Sequence, residues 1–316
     1  QRQWYFVLRH GRVGHCQAII LMKNLIIVTG GAGFVGSNLI EALLKKTKKQ
    51  IISLDNYSTG SKKNHTNNNR VKYISGNTIN FNNIFLKYKK KIHSIFHFGE
   101  FARIFQSFKE FDKCYDSNSI GSKAVFKFCL ENKIKLIYSA TSASLGNKGE
   151  DKNLSPYAFT KSKNLELLEN LKKWFKFKFE VIYFYNVYGP KQIKTGNMAT
   201  VIGIFENLYE NKKPLTVVKP GNQTRKFTHI NDTIDVCIHA WKENKCCHYS
   251  ISHKKSFSII QVAKMFNSKI IYLKPRQGER YASALTKMSQ NNKIIPKYGK
   301  INLKDYVSSF IKKRNL

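Results

Sequence analysis

The stretch NLIIVTGGAGFVGSNLIEALLKK, residues 24–46, constrains this chain more than any other. Its first residues form a short apolar run rich in β-branched side chains, the pattern of a buried strand. Gly30, Gly33 and Gly36 follow at G-x-x-G-x-x-G spacing, and then apolar residues recur at a helical period. A strand that turns through glycine into a helix leaves free N–H groups and the positive end of a helix dipole at the turn. Glycine there permits the tight turn and lets the main chain approach a pyrophosphate. The next strand-like run, QIISLD, ends on Asp55. A carboxylate at that point accepts hydrogen bonds from adenosine ribose hydroxyls and repels a 2′-phosphate, so NAD is predicted over NADP. The following NYSTG carries no arginine to reverse that preference.

Further strands are predicted over 70–76, 93–98, 135–141 and 179–189, with helices between most of them, including 114–132 and 156–175. Strands alternating with helices predict an α/β fold, a Rossmann-type doubly wound parallel sheet with helices on both faces. Beyond residue 190 the pattern loosens into shorter helices and strands. Asn231 or Asp232 is a candidate cap for a helix over 230–244. The predicted organisation is an N-terminal extension over 1–21 outside the fold, an NAD-binding Rossmann domain over 22–189, and a smaller C-terminal α/β domain mostly over 190–316. Residues 1–21 lack the apolar core and small-residue cleavage site of a signal peptide.

Lys and Arg number 55 against 19 Asp and Glu, a formal charge of +36. Such an excess fits nucleic-acid binding, or a composition drifted toward Lys, Asn, Ile, Phe and Tyr. The lysines are scattered over every predicted helix and loop with no single basic stripe, which favours drift. No run of about 18 apolar residues is present, so no membrane span is predicted. The six cysteines, at 16, 114, 129, 237, 246 and 247, show no CxxC pair and no zinc spacing. No metal site is expected, and a reduced, cytoplasmic protein is.

The segment TSASLGNKGEDKNLSPYAFTK, residues 141–161, holds a hydroxyl at Thr141, a phenol at Tyr157 and an amine at Lys161. Tyr157 and Lys161 are four apart at the start of a predicted helix, so they share a face. A phenol titrates near 10, too high for a base at neutral pH. A neighbouring ammonium and a positive nicotinamide ring both favour the phenolate. Tyr157 is then suited to remove a hydroxyl proton while hydride leaves the same carbon. Thr141, at a strand end, is suited to bridge substrate oxygen and phenol.

These motifs, with LDNYSTG, IFHFGE, NSIGSKAVF, YSATSASLG, SPYAFTKSK, YFYNVYGP, RKFTHINDTIDV and PRQGER in that order, make the chain resemble an extended short-chain dehydrogenase/reductase of the NAD-dependent sugar epimerase/dehydratase family, UDP-glucose 4-epimerase-like. The resemblance runs from about residue 23 to the C-terminus. It implies a tightly held NAD, a nucleoside-diphosphate sugar substrate taken by the C-terminal domain, and a homodimer formed through the helices over 114–132 and 156–175. By matching position it implies that Gly30, Gly33, Phe34, Val35 and Gly36 hold the pyrophosphate and that Asp55 and Asn56 bind the adenosine ribose region. Asn77 would meet the adenine, Phe98 and Gly99 would lie along the cofactor, and Asn118 would support it from the helix behind. Tyr157 would be the base, Lys161 the nicotinamide-ribose clamp and Thr141 the hydroxyl partner. Asn186, Asn197, Arg225 and Arg276 would contact the substrate, the arginines gripping its diphosphate through bidentate hydrogen bonds.

Departures from the family pattern select the reaction. Dehydratases of the family resemble T-D-E at the strand end, and decarboxylating relatives keep a Glu two residues after the Thr. Here Ser142 and Ala143 follow Thr141. Chemistry that needs only hydride transfer and one base remains, and C4 epimerisation of a nucleotide sugar fits it. The alternatives are a keto-sugar reductase or dehydrogenase and, outside enzymes, a nucleotide- or nucleic-acid-binding protein on the same fold. FHFGE replaces the commoner H-x-A-A, which leaves Glu100 without a role, and Leu145 stands where many relatives have Tyr.

Overall fold

The computed structural model of the chain describes residues 23–145, 151–275 and 298–314. The expected extension over 1–21 and Arg276 lie outside the described residues.

The chain begins in the middle of its sheet. Strand β1 (Leu25–Thr29) is buried at all five positions, as a strand covered on both faces must be. Helix α1 (Phe34–Lys46) turns Leu39, Ile40 and Leu43 onto β1. Then come β2 (Gln50–Asp55), β3 (Val71–Ser75), α2 (Phe81–Phe85), β4 (Ile92–His97), α3 (Ile104–Lys109), α4 (Phe111–Tyr115), α5 (Ser122–Glu131), β5 (Lys135–Thr141), α6 (Pro156–Phe175) and β6 (Phe179–Phe184). The remaining elements are β7 (Val187–Tyr188), α7 (Val201–Glu210), β8 (Leu215–Val218), β9 (Thr224–Lys226), β10 (Thr228–His229), α8 (Ile230–Glu243), β11 (His248–Ser250), β12 (Ser256–Ser258), α9 (Ile259–Lys264), β13 (Ile270–Leu273) and α10 (Leu303–Arg314).

Seven strands form the main sheet in the order β11-β6-β5-β4-β1-β2-β3, and every pairing is parallel. The chain winds outward from β1 to β3, returns to the centre at β4, and winds outward the other way. That reversal between β1 and β4 opens a crevice at the carboxyl ends of the strands, where ligands of such sheets bind. Ile27, Ile95, Leu136 and Val181 pack one face of the sheet with Phe126 of α5 and Leu168 of α6. Ile26, Val28, Ile137 and Ile182 pack the other with Leu39 and Leu43 of α1 and Ile234 of α8. A separate core joins Phe205, Leu215, Phe227, Val262, Phe266 and Val307.

Three local features depart from the sequence reading, in β6, in the helix over 114–132 and at the start of α8, and a strand pairing adds to it. The strand expected over 179–189 stops at Phe184, because Asn186 takes a left-handed φ of 34° and turns the chain. The residues beyond it, Val187 and Tyr188, pair with β10 in a separate two-stranded ladder. The helix expected over 114–132 contains a π turn at Asp116–Gly121, a widened turn of the kind found at functional sites. Gly121 within it lies against Thr78, where a Cβ would sit 2.2 Å from the Thr78 hydroxyl oxygen. The helix at 230 is capped by His229, whose ring accepts from the Asn231 N–H, and not by Asn231 or Asp232. The Asp232 carboxylate instead accepts from Ile301 N–H. Finally, β11 returns from the C-terminal half of the chain to complete the main sheet beside β6.

Candidate active site

The glycine turn between β1 and α1 has no room for side chains. Gly30 has φ of 70°, and a Cβ there would stand 2.8 Å from Gly99 Cα. A Cβ on Gly36 would stand 2.1 Å from the Gly30 carbonyl oxygen. Gly33, by contrast, would meet only that carbonyl, at 3.2 Å, and it is the N-cap of α1 without a side-chain cap. Gly33 N–H donates to the Gly30 carbonyl at 3.1 Å, while the N–H groups of Phe34 and Val35, in the uncapped first turn of α1, suit an external acceptor such as a pyrophosphate. Asp55 ends β2 almost fully buried. Its carboxylate accepts from Ala32 N–H at 2.9 Å and from Tyr57 N–H at 2.8 Å. Burial pushes the Asp55 carboxyl up from its usual value, and these main-chain donors pull it back. Each oxygen retains a second lone pair for a ribose hydroxyl. Asn56 beside it is exposed. Asn77 commits its amide oxygen to Ile79 N–H, 3.0 Å away, as the cap of the short helix behind β3.

The loop after β4 closes over this turn. Thr29 Oγ accepts from the N–H groups of Phe98 and Gly99, at 3.1 and 2.9 Å, tying the end of β1 to the loop. Asn118 grips the same loop. Its amide oxygen accepts from Phe101 N–H at 2.7 Å, and its NH2 donates to Phe101 C=O at 3.1 Å and to Thr160 at 3.3 Å. Asn118 has no exposed surface. Asn118 thus holds the loop after β4 from behind the cleft.

The catalytic candidates converge on the carboxyl ends of β4 and β5. Thr141 is the last residue of β5, nearly buried, and its oxygen accepts from Ala143 N–H at 3.1 Å. Helix α6 starts sharply. Ser155 caps it by accepting from Ala158 N–H at 3.1 Å, and Pro156 occupies its first turn. Ser107 Oγ takes the Tyr157 N–H at 3.2 Å, fixing the first turn against α3. Tyr157 and Lys161 lie on one face of this helix. The Lys161 side chain is only 4% exposed. Its ammonium donates to a Glu100 carboxylate oxygen and to the Ser139 carbonyl, and it lies 4.5 Å from the centre of the Tyr138 ring. Burial pulls the Lys161 ammonium down from its usual range, and Glu100 pulls it back up.

Several of these neighbours escaped the sequence reading. Glu100 also accepts from Ser122, Tyr138 and Asn164, at 2.8, 3.0 and 3.2 Å. Arg103 reaches across to the Met198 carbonyl, with contacts at 2.9 and 2.5 Å, beside the exposed Asn197. Burial lowers the Arg103 guanidinium and the nearby Tyr157 phenol raises it, so a second cation faces the phenol. The signal for Arg103 was its place six residues after His97 at the end of β4; nothing local revealed its long-range carbonyl partner. On the C-terminal side, Asn186 donates to Lys226 C=O at 2.8 Å. Arg225 is nearly buried in β9, paired with Phe257 of β12, and donates to Thr224 C=O at 2.8 Å.

The chain is similar to known proteins over most of its length. Residues 26–251 match the family described as "NAD dependent epimerase/dehydratase family". An ADP-L-glycero-D-manno-heptose-6-epimerase from Brachyspira hyodysenteriae is 30% identical over 257 residues, covering 76% of this chain and 79% of that protein. The fold superposes on a UDP-glucuronic acid 4-epimerase from Bacillus cereus, in complex with UDP-glucuronic acid and NAD, with a TM-score of 0.80 and 25% identity over 92% of this chain and 99% of that one. A UDP-glucose 4-epimerase from Thermotoga maritima gives a TM-score of 0.80 at 22% identity, covering 91% and 97% of the two chains, a likeness of fold. Among the described residues no helix is long and apolar enough to cross a membrane. The match over most of the chain and the cofactor-shaped turn at Gly30 lead to one conclusion: this chain belongs to the NAD dependent epimerase/dehydratase family of sugar-modifying enzymes, with NAD as its cofactor.

Proposed function

We propose that the chain is a nucleotide-sugar 4-epimerase acting through a transient 4-keto sugar. The observation that carries this reading is the pair Tyr157 and Lys161 on one face of α6, facing a strand end whose Thr141 is followed by Ser142 and Ala143 and no carboxylate. Bound NAD would supply the site with a reversible hydride acceptor for the sugar C4. Tyr157 takes the C4 hydroxyl proton in the first half of the reaction and gives it back in the second, with Thr141 orienting the oxygen. Lys161 holds the nicotinamide ribose and adds positive charge beside the phenolate. Gly30, Gly33, Phe34, Val35 and Gly36 take the pyrophosphate, Asp55 and Asn56 the adenosine ribose, and Phe98 and Gly99 flank the cofactor. Asn186, Asn197 and Arg225 engage the nucleotide sugar from residues 190–316 and the turn before them, with Arg276 as a second diphosphate partner. A firmly held diphosphate with a loosely held sugar lets the keto intermediate turn its other face before hydride returns.

A homodimer and a cytoplasmic location belong to the same proposal. Phe111, Tyr115, Phe159, Trp174 and Phe175 of α4 and α6 are 42–63% exposed, apolar surface whose burial against a second copy gains about 25 cal/mol per Å². Cys114, Cys129 and Cys237 are buried thiols, consistent with a reducing compartment.

The test is a panel of UDP-, GDP-, CDP- and dTDP-sugars, read by mass and by chromatographic separation of epimers. Isomerisation without mass change, reduced about 10³-fold by Tyr157→Phe, is the expected result. Loss of water, or stoichiometric consumption of reduced cofactor, overturns the 4-epimerase reading in favour of a dehydratase or a reductase.

A further inference from the structure

Glu100 stands at a position where the resemblance supplies no acid, yet its side chain is only 2% exposed and touches Lys161. A carboxylate accepts and cannot donate, so it dictates the direction of every hydrogen bond around it. Ser122 must point its hydrogen at Glu100. The Ser122 oxygen, 2.9 Å from His97 Nε2, is then an acceptor, and His97 carries its proton on Nε2. Burial holds that ring neutral, down to about 4. Its Nδ1 therefore accepts from Thr29, 2.8 Å away, and the Thr29 oxygen in turn receives Phe98 and Gly99 N–H. One acid thus orders a directed chain of bonds that runs from α5 through β4 to the loop beside the glycine turn.

The groups facing the Lys161 ammonium come from several elements. Cys114 of α4 is a thiol pushed up to about 11 by burial, and Tyr138 of β5 is a phenol that burial raises well above its usual value. His97 of β4 is neutral, and Arg103 adds a like charge on the Tyr157 side. Tyr157 shares α6 with the lysine. Among the described residues at this site, Glu100 is the only carboxylate in contact with the ammonium. Of the ammonium's three N–H groups, Glu100 and the Ser139 carbonyl take two.

We propose that Glu100 is a positioning residue, the counter-ion that keeps Lys161 charged and aims its remaining N–H toward the cofactor cleft. This deepens the reading in which Lys161 serves the nicotinamide ribose, and rests on it. In Glu100→Gln the shape is kept and the charge is removed, so a buried lysine loses its proton more readily.

The test follows the Lys161 15Nζ resonance in the intact NAD-loaded protein, identified by its absence in Lys161→Arg. Its titration is expected to fall by about one pH unit or more in Glu100→Gln, with the alkaline limb of kcat moving down alongside. Identical titration in both proteins overturns the proposal, since a purely architectural role for Glu100 lowers stability without moving the lysine. Should Glu100→Gln not fold, Glu100→Gln with Lys161→Met is the second variant. Recovery of the fold supports the counter-ion role, and failure to recover overturns it. The lysine titration uses no sugar, so a panel without turnover counts against the 4-epimerase reading and leaves this result standing.

Discussion

The two ends of the cleft are built by different means. At the cofactor end, Gly30, Gly33, Gly36 and Asp55 use missing side chains and main-chain N–H groups, and all four belong to one β-α-β unit. At the catalytic end, Lys161 of α6 meets Glu100, Ser139 and the Tyr138 ring, three partners drawn from β5 and the loop after β4. The first end is a shape and the second is a buried charge arrangement. A shape fails by crowding, in steps of a methyl group. A buried charge arrangement fails all at once when one partner is removed.

The largest effect on folding should therefore come from the catalytic end. Lys161→Met leaves Glu100 buried without its cation, a change that costs about 3–5 kcal/mol for pairs of this kind. Denaturant unfolding measures it, and a loss below about 1 kcal/mol would erase the contrast between the two ends. Acidification probes the link between them. His97 titrates near 4 in the fold against 6.5 ordinarily. A depressed value means the unfolded chain binds the proton first, so this stability is complete above pH 6.5 and is lost as pH falls towards 4. At about 1.4 kcal/mol per unit the loss is roughly 3 kcal/mol. Unfolding at pH 7 and at pH 4.5 should show it, and His97→Gln should flatten the dependence. The smallest effect belongs to the shape end. Gly36→Ala drives a Cβ to 2.1 Å from the Gly30 carbonyl and should cost about 1–3 kcal/mol together with retained NAD. Gly33→Ala, with one contact at 3.2 Å, should cost less. Thermal melting and the NAD content of the purified protein distinguish the two.

This contrast also explains what could be read from the sequence. The glycine turn and Asp55 were legible because each is demanded by local main-chain geometry within a short stretch. Tyr157 and Lys161 were legible because four residues is one helical turn, and the Ser155 cap that fixes the start of α6 is seen in the fold. The sheet followed from alternating strands and helices. Glu100 was visible as an oddity and unreadable as a role, because its partners Ser122, Tyr138, Lys161 and Asn164 come together only once α5, β5 and α6 pack. Arg103 and Met198 are 95 residues apart, and no spacing rule joins them. Asn118 was placed behind the cofactor by the family resemblance alone, whereas only the fold shows its amide turned back onto Phe101. The end of β6 at Phe184 depends on one backbone angle, that of Asn186, in an otherwise strand-like run.

The late return of β11 makes the chain resistant to dissection. Glu180, buried in β6, has its two oxygens held by the Cys246 and Cys247 N–H groups at 2.9 Å, immediately before β11. A fragment cut at residue 189 would expose the flank of β6 and take from that acid both main-chain donors, leaving Lys135 Nζ at 3.9 Å. The cofactor half is therefore finished only by sequence synthesised some sixty residues later, and a nascent chain would carry an incomplete sheet until that stretch emerges.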